Sequence, residues 1–318
     1  MLHPQAQSLL TLMVERGVPP THTLAPSVAR AFYRERRTFT QPDPQDVAEV
    51  RDLSAEGPQG PIPLRFYRPI EAGAAGTSAG GLPVLVYFHG GGWVIGDLET
   101  HDTLCRELCN ASGCAVVAVD YRMGPENRFP SAVDDCLAAT RWVQREGASL
   151  GLDPSRLAVG GDSAGGNLAA VVALASRDAG DPQIAFQLLI YPATDQRRGS
   201  ASHTTNGEGY LLTKDTITYF HDHYIEESQH DLDWRASPLL HEDLTRLPPA
   251  LLITAGYDPL RDEGLEYAAG LTAAGNRVTY VCFERQIHGF ITMGRVLDEA
   301  NAAVSMCAAE LRRALRHA

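Results

Sequence analysis

The residues best suited to chemistry stand around Ser163, at the centre of G-D-S-A-G-G, Gly161 to Gly166. The apolar run Leu157–Val159 precedes this G-x-S-x-G pattern, and the alanine-rich stretch Ala164–Arg177, at helical spacing, follows it. A serine between a strand and a helix needs small neighbours. The chain must turn sharply there and leave the hydroxyl exposed at the helix's positive end. A second cluster, H-G-G-G-W, runs from His89 to Trp93, directly after the apolar run Val84–Phe88. Consecutive glycines leave backbone N–H groups uncovered, and acyl transfer to a serine needs such donors for the oxyanion of its tetrahedral intermediate. No G-K-[ST] follows, which speaks against a phosphate-binding loop.

A serine nucleophile also needs a base and a carboxylate. In folds that carry G-x-S-x-G on a strand-to-helix turn, the chain order is Ser, then Asp or Glu, then His. Asp258 lies four residues after the apolar run Leu251–Thr254, in A-G-Y-D-P-L-R-D-E. His288 lies five residues after Val278–Phe283, in Q-I-H-G-F. Asp262 and Glu263 are the alternatives to Asp258, placed inside the next helix. His89 is expected to order the glycine loop by hydrogen bonds, and Asp162 to point away from Ser163 into the core. His221, His223 and His230 have Asp222 and Asp231 nearby, but H-x-H on a polar helix reads as a solvated face, so no metal is expected.

Composition narrows the field further. Lys214 is the only lysine among 27 basic residues, and it sits in G-Y-L-L-T-K-D. Arginine forms no Schiff base, so pyridoxal enzymes, lysine aldolases, P-loop NTPases and S-x-x-K hydrolases are excluded together. The net charge of −12 gives no general attraction to nucleic acid or anionic lipid. The six cysteines form no C-x-x-C and read as buried, reduced thiols of a cytoplasmic protein. Leu9–Val14 is too short for a leader's apolar core and lacks a basic segment before it.

The elements that must position these groups follow from periodicity. Val47–Leu53 and Ile62–Tyr67 alternate and flank G-P-Q-G-P, which reads as a hairpin. Short apolar runs follow at Val84–Phe88, Ala115–Val119, Leu157–Val159, Ile184–Ile190, Leu251–Thr254 and Val278–Phe283. Helix-length segments separate most of them, at His101–Ser112, Ser131–Gly147, Ala164–Arg177 and Leu260–Ala274, and Gly294–Leu315 closes the chain. This alternation predicts an α/β fold with an eight-stranded, mostly parallel sheet, its first two strands antiparallel, and helices on both faces. Ala72–Gly81 reads as a surface loop. The head carries candidate helices around Leu9–Val14 and Ser27–Arg37, and about sixty residues between Tyr191 and Pro249 contain no strand-like run. The expected division is therefore 1–46 as the first part of a helical cap, 47–191 as core, 192–248 as a cap insertion and 249–318 as core.

On H-G-G-G-W, Y-R-M-G-P-E (Tyr121 to Glu126) with the following F-P-S-A-V-D-D, G-D-S-A-G-G, D-P-L-R-D-E and H-G-F, the chain resembles the hormone-sensitive-lipase family of α/β-hydrolases from about Val47 onward. The resemblance implies Ser163 as nucleophile, His288 as base and Asp258 as its orienter. It also implies an oxyanion hole from Gly90, Gly91, Gly92 and Ala164, with Gly90 shaping the loop. Family members are commonly cytoplasmic carboxylesterases for short acyl chains, often dimers, so the expected partners are a small ester and a second copy of the chain. No cofactor is implied. Pocket lining is expected from Trp93, Phe32, Tyr33, Leu211 and its neighbours Tyr210 and Leu212. Where the family's usual motif is Y-R-L-A-P-E, this chain has Met123 and Gly124. The plant gibberellin receptors resemble the same family without catalysis, but the histidine replaced in them is present here as His288.

Overall fold

Residues 1–70 and 81–316 are described by a computed structural model. Of the expected Ala72–Gly81 loop, all but Gly81 lies outside the described residues. The strands are β1 (Glu49–Gly57), β2 (Gly60–Arg68), β3 (Leu82–Phe88), β4 (Ala115–Val119), β5 (Leu152–Asp162), β6 (Phe186–Ile190), β7 (Ala250–Tyr257) and β8 (Val278–Ile287). They form one eight-stranded sheet in the order β1-β2-β4-β3-β5-β6-β7-β8. β2 runs antiparallel to both of its neighbours, and every other pairing is parallel.

The helices are α1 (Pro4–Glu15), α2 (Pro26–Thr40), α3 (Leu98–Ser112), α4 (Ser131–Glu146), α5 (Ala164–Ala179), α6 (Ala201–Thr205), α7 (Lys214–Tyr224), α8 (Arg261–Ala273) and α9 (Asp298–Leu315). Successive side chains of a strand point to opposite faces, and the central strands are apolar on both. In β3, Val84, Val86 and Phe88 join the core beneath α4, α5 and α8, whereas Leu85 and Tyr87 join the core beneath α3 and α9. A strand buried on both faces must be apolar throughout. That is why β3 and β4 read as continuous runs and not as alternation.

Three strands outrun their apolar signals. β5 begins at Leu152 and passes through Asp153 and Ser155; β7 continues to Tyr257; β8 continues through Glu284 and Arg285 to Ile287. β8 lies at the sheet's edge, where polar residues can project into solvent without breaking the ladder. Asp258 and His288 therefore follow their strands directly. The last helix starts later than expected, at Asp298 and not at Gly294. Arg295 instead holds the chain to the end of α2, its N–H bonding the Thr40 carbonyl at 3.0 Å and its guanidinium the Gln41 carbonyl at 2.7 Å. Asp298 and Glu299 then begin the helix with the charge its N-terminus favours.

Between β6 and β7 the chain forms α6, α7 and short 3₁₀ turns. α2 and α7 share a small apolar cluster in which Ala29, Val94 and Ile95 are buried and Leu24, Tyr33, Tyr219 and Phe220 pack against them. All six cysteines are unpaired, and only Cys282 is half-buried where the others are buried. Burial pushes the Cys109 thiol up to about 12 and that of Cys114 up to about 11, which keeps both inert at neutral pH. Among the described residues no helix is long and apolar enough to cross a membrane.

Candidate active site

Ser163 sits alone between the end of β5 and the start of α5, with φ 56° and ψ −117°. A non-glycine residue rarely adopts this conformation, and it persists only where the surroundings impose it. Here the Ser163 N–H donates to the Ile190 carbonyl at 2.9 Å, and its carbonyl accepts from Asn167 N–H at 3.0 Å. Gly165 explains the motif's small residues more directly. A Cβ there would be driven into the Phe88 carbonyl at the end of β3. Because it has none, the loop that follows β3 can lie against the serine turn.

The structure brings Ser163, His288 and Asp258 into one hydrogen-bonded chain. His288 Nε2 lies 2.9 Å from Ser163 Oγ, and His288 Nδ1 lies 2.7 Å from Asp258 Oδ2. Asp258 is fully buried, and its other oxygen accepts the Leu260 N–H at 2.8 Å. An ionised carboxylate only accepts hydrogen bonds, so the imidazole carries its proton on Nδ1 and leaves Nε2 to accept from the serine hydroxyl. The ring of Tyr191 backs the imidazole with centroids 4.7 Å apart. The two alternative carboxylates are occupied elsewhere. Asp262 pairs with Arg261 and accepts the Ser202 N–H, and Glu263 meets His203 Nε2 at 2.6 Å and accepts the Thr194 N–H at 2.7 Å.

The glycine loop turns beside this chain. Gly91 and Gly92 have φ of +121° and +60°, a region that favours glycine. Neither of their N–H groups has an acceptor among the described residues. Ala164 opens α5, and a first-turn N–H has no partner within its own helix. Gly90 differs from these three, because its N–H is committed to Asp162 Oδ1 at 3.0 Å and so is no free donor. Asp162 points into the interior and also accepts the Tyr87 hydroxyl at 2.8 Å, while His101 Nε2 stands 3.2 Å from the same oxygen. Burial alone would raise this carboxyl, but His101, the Tyr87 hydroxyl and His89 together hold it below its ordinary value. His89 stacks on Tyr121 at 4.3 Å, and its Nδ1 lies 2.8 Å from the Gly90 carbonyl. Burial, with His101 nearby, pushes the His89 imidazole down to about 4.

The expected lining residues fare unevenly. Trp93 is not open to a ligand: it is 4% exposed, belongs to the core and stacks on Tyr224 with centroids 4.7 Å apart. Its backbone φ of 58° turns the side chain away after the glycines. Leu211 stands beside Gly289, the residue after His288, and would be 3.7 Å from a Cβ there. Leu212 is buried, and the Tyr210 ring packs at a tilt against Tyr257, with centroids 5.0 Å apart. Tyr33 is half-buried between the Arg36 guanidinium and His101, and Phe32, its neighbour on α2, is half-buried too. Phe220 was missed. Its ring lies over Gly92, where a Cβ would collide with it. The signal was present: Thr213 caps a short helix that carries Phe220 and Tyr224 one turn apart.

The histidines of the insertion are not a solvated row. His221 Nε2 meets Asp231 at 2.7 Å, and His223 Nδ1 donates to the Tyr219 carbonyl at 2.7 Å. No group of three metal-ligating side chains occurs among the described residues.

A sharply turned serine at the head of a helix, with a histidine after the last strand of a mostly parallel eight-stranded sheet, defines a hydrolase architecture. Residues 85–292 match the family model described as the alpha/beta hydrolase fold. The chain belongs to the α/β-hydrolases, in their hormone-sensitive-lipase-like family. It is 46% identical to Carboxylic ester hydrolase LipN of Mycobacterium tuberculosis over 258 residues, 79% of this chain and 67% of that one. It is 38% identical to Ethyl acetate hydrolase of Pseudomonas putida over 323 residues, 99% of each. Among solved structures, an ester-hydrolase from the metagenome of Lake Arreo, complexed with a derivative of bipyridine phosphonate, superposes with a TM-score of 0.93 at 47% identity, covering 98% of this chain and 99% of that one.

Proposed function

We propose that the protein is a serine carboxylesterase that hydrolyses short- to medium-chain acyl esters through an acyl-enzyme. The observation that carries this reading is the continuous hydrogen-bonded chain from Ser163 Oγ through His288 to Asp258. The name of the Pseudomonas putida relative supports small esters as the substrate class. Ser163 attacks the ester carbonyl while His288 Nε2 takes its proton, and Asp258 holds the resulting imidazolium in place. The N–H groups of Gly91, Gly92 and Ala164 bind the oxyanion, and Gly90 shapes their loop through Asp162. His288 then protonates the departing alcohol, and a water molecule repeats the sequence to release the acid.

Residues 1–46 and 192–248 act in this reading as one cap over the carboxyl edge of the sheet. The cluster shared by α2 and α7, and His22 Nδ1 at 3.3 Å from the Thr216 hydroxyl, support that pairing. The test is release of p-nitrophenol from acetate, butyrate, octanoate and palmitate esters by the wild type, Ser163→Ala and Asp258→Asn. Activity on the short esters should vanish in the first variant and fall by about 10³–10⁴ in kcat in the second. A Ser163→Ala protein as active as the wild type would sink the reading.

A further inference from the structure

α7 can approach the glycine loop as closely as it does because residue 124 has no side chain. The φ of Gly124 lies outside the left-handed region, so conformation does not demand glycine there; space does. A Cβ at this position would run into the His223 carbonyl and stand 3.2 Å from the Tyr224 Cα. These are backbone atoms of the last turn of α7, and they are fixed from the same loop. Phe129 N–H donates to the Tyr224 carbonyl at 2.9 Å, and the Arg128 guanidinium donates to the Asp222 and Ile225 carbonyls, also at 2.9 Å. On its other side Gly124 is joined to the site, its N–H donating to the Trp93 carbonyl at 2.8 Å. Arg30 donates to both the Gly124 and the Val94 carbonyls at 2.7 Å. Residue 124 is thus the spacer between α7 and the H-G-G-G-W loop.

Phe220 and Tyr224, four residues apart, share one face of α7. Tyr224 lies flat on Trp93, with ring planes 3° apart, and Phe220 covers Gly92. A methyl group at 124 must lift the end of α7 by on the order of 1 Å to reach ordinary contact distance. Phe220 would move with it. Resting on the esterase reading above, we propose that Gly124 is a specificity-determining residue: it lets α7 seat fully, so that Phe220 closes the space beside Gly92 and limits the length of ester chain accepted there.

The experiment compares the wild type, Gly124→Ala, Phe220→Ala and the double variant. Substrates are p-nitrophenyl acetate, butyrate and octanoate, and alkyl acetates of increasing length, with kcat and KM measured separately. In at least one series, the ratio of kcat/KM for the longest ester to that for the shortest should rise about fourfold or more in each single variant, the equivalent of one newly buried methylene. The double variant should gain no more than Phe220→Ala alone, because both changes act through one side chain. Ratios unchanged in both series, or activity lowered by a common factor on every ester, would overturn the proposal. Should Gly124→Ala fail to fold, that failure itself reflects the close packing of residue 124 on α7, and an unchanged ratio in Phe220→Ala overturns the proposal. A wild type inactive on all these esters, or matched by Ser163→Ala, would instead remove the esterase reading, a result separable from an unchanged ratio.

Discussion

Replacing Asp162 by asparagine isolates what a buried charge contributes beside Ser163. The carboxylate accepts the Gly90 N–H at 3.0 Å and the Tyr87 O–H at 2.8 Å, with His101 Nε2 at 3.2 Å. An amide oxygen can keep the first two bonds, and the amide N–H₂ can face His101 if that ring presents a lone pair. What is lost is the charge assistance, about 1 kcal/mol for each of two bonds. A loss of about 2 kcal/mol lowers Tm by about 3 °C in a chain of this length. The folded-state carboxyl lies below its ordinary value. Its stabilisation is therefore fully present above the unfolded pKa of about 3.9 and disappears as pH falls through the lower folded value. Thermal melts of wild type and variant should differ by a constant amount between pH 5 and 8, and the gap should narrow below about pH 4. Because Gly90 anchors the loop that carries Gly91 and Gly92, kcat on p-nitrophenyl acetate should fall by about tenfold, less than the 10² or more that follows removal of an oxyanion donor. Equal melting temperatures at pH 7, or a gap that persists unchanged to pH 3.5, would refute the idea that the charge of Asp162 holds this loop.

Two further outcomes follow from the same region. The His89 imidazole is pushed down to about 4, below its unfolded value, so the unfolded chain binds the extra proton between about pH 6.5 and 4. Stability should fall across that window as pH drops, by at most about 3 kcal/mol, and His89→Gln should flatten the wild-type slope in urea melts at stepped pH. Gly165→Ala places a methyl group on the Phe88 carbonyl. Neither backbone can yield cheaply, so the variant should lose more than about 3 kcal/mol or fail to accumulate as folded protein. Circular dichroism that superposes on the wild type with an unchanged Tm would contradict the close packing of β3 on α5.

Much of this protein was legible in its sequence, because the determining interactions are local. A buried strand must be apolar on both faces, so β3, β4 and β6 announce themselves. The turn at Ser163 needs small residues within a few positions, so G-D-S-A-G-G and its flanking strand and helix identify it. The glycine loop declares itself the same way. The end of β8 was less visible, since an edge strand tolerates Glu284 and Arg285 where a central one would not. Other properties depend on residues far apart in the chain, and only the tertiary structure decided them. Asp258, Asp262 and Glu263 are chemically equivalent within six positions, and it is the place where β8 delivers His288 that selects the first. Trp93 looked like pocket lining until Tyr224, from another part of the chain, was found stacked on it. Gly124, which the sequence marks only as a departure from the family motif, and Phe220 gain their meaning the same way, from α7 crossing the loop. Spacing along a chain reports which backbone turns are possible; which side chain occupies a given volume is settled only when elements distant in sequence compete for it.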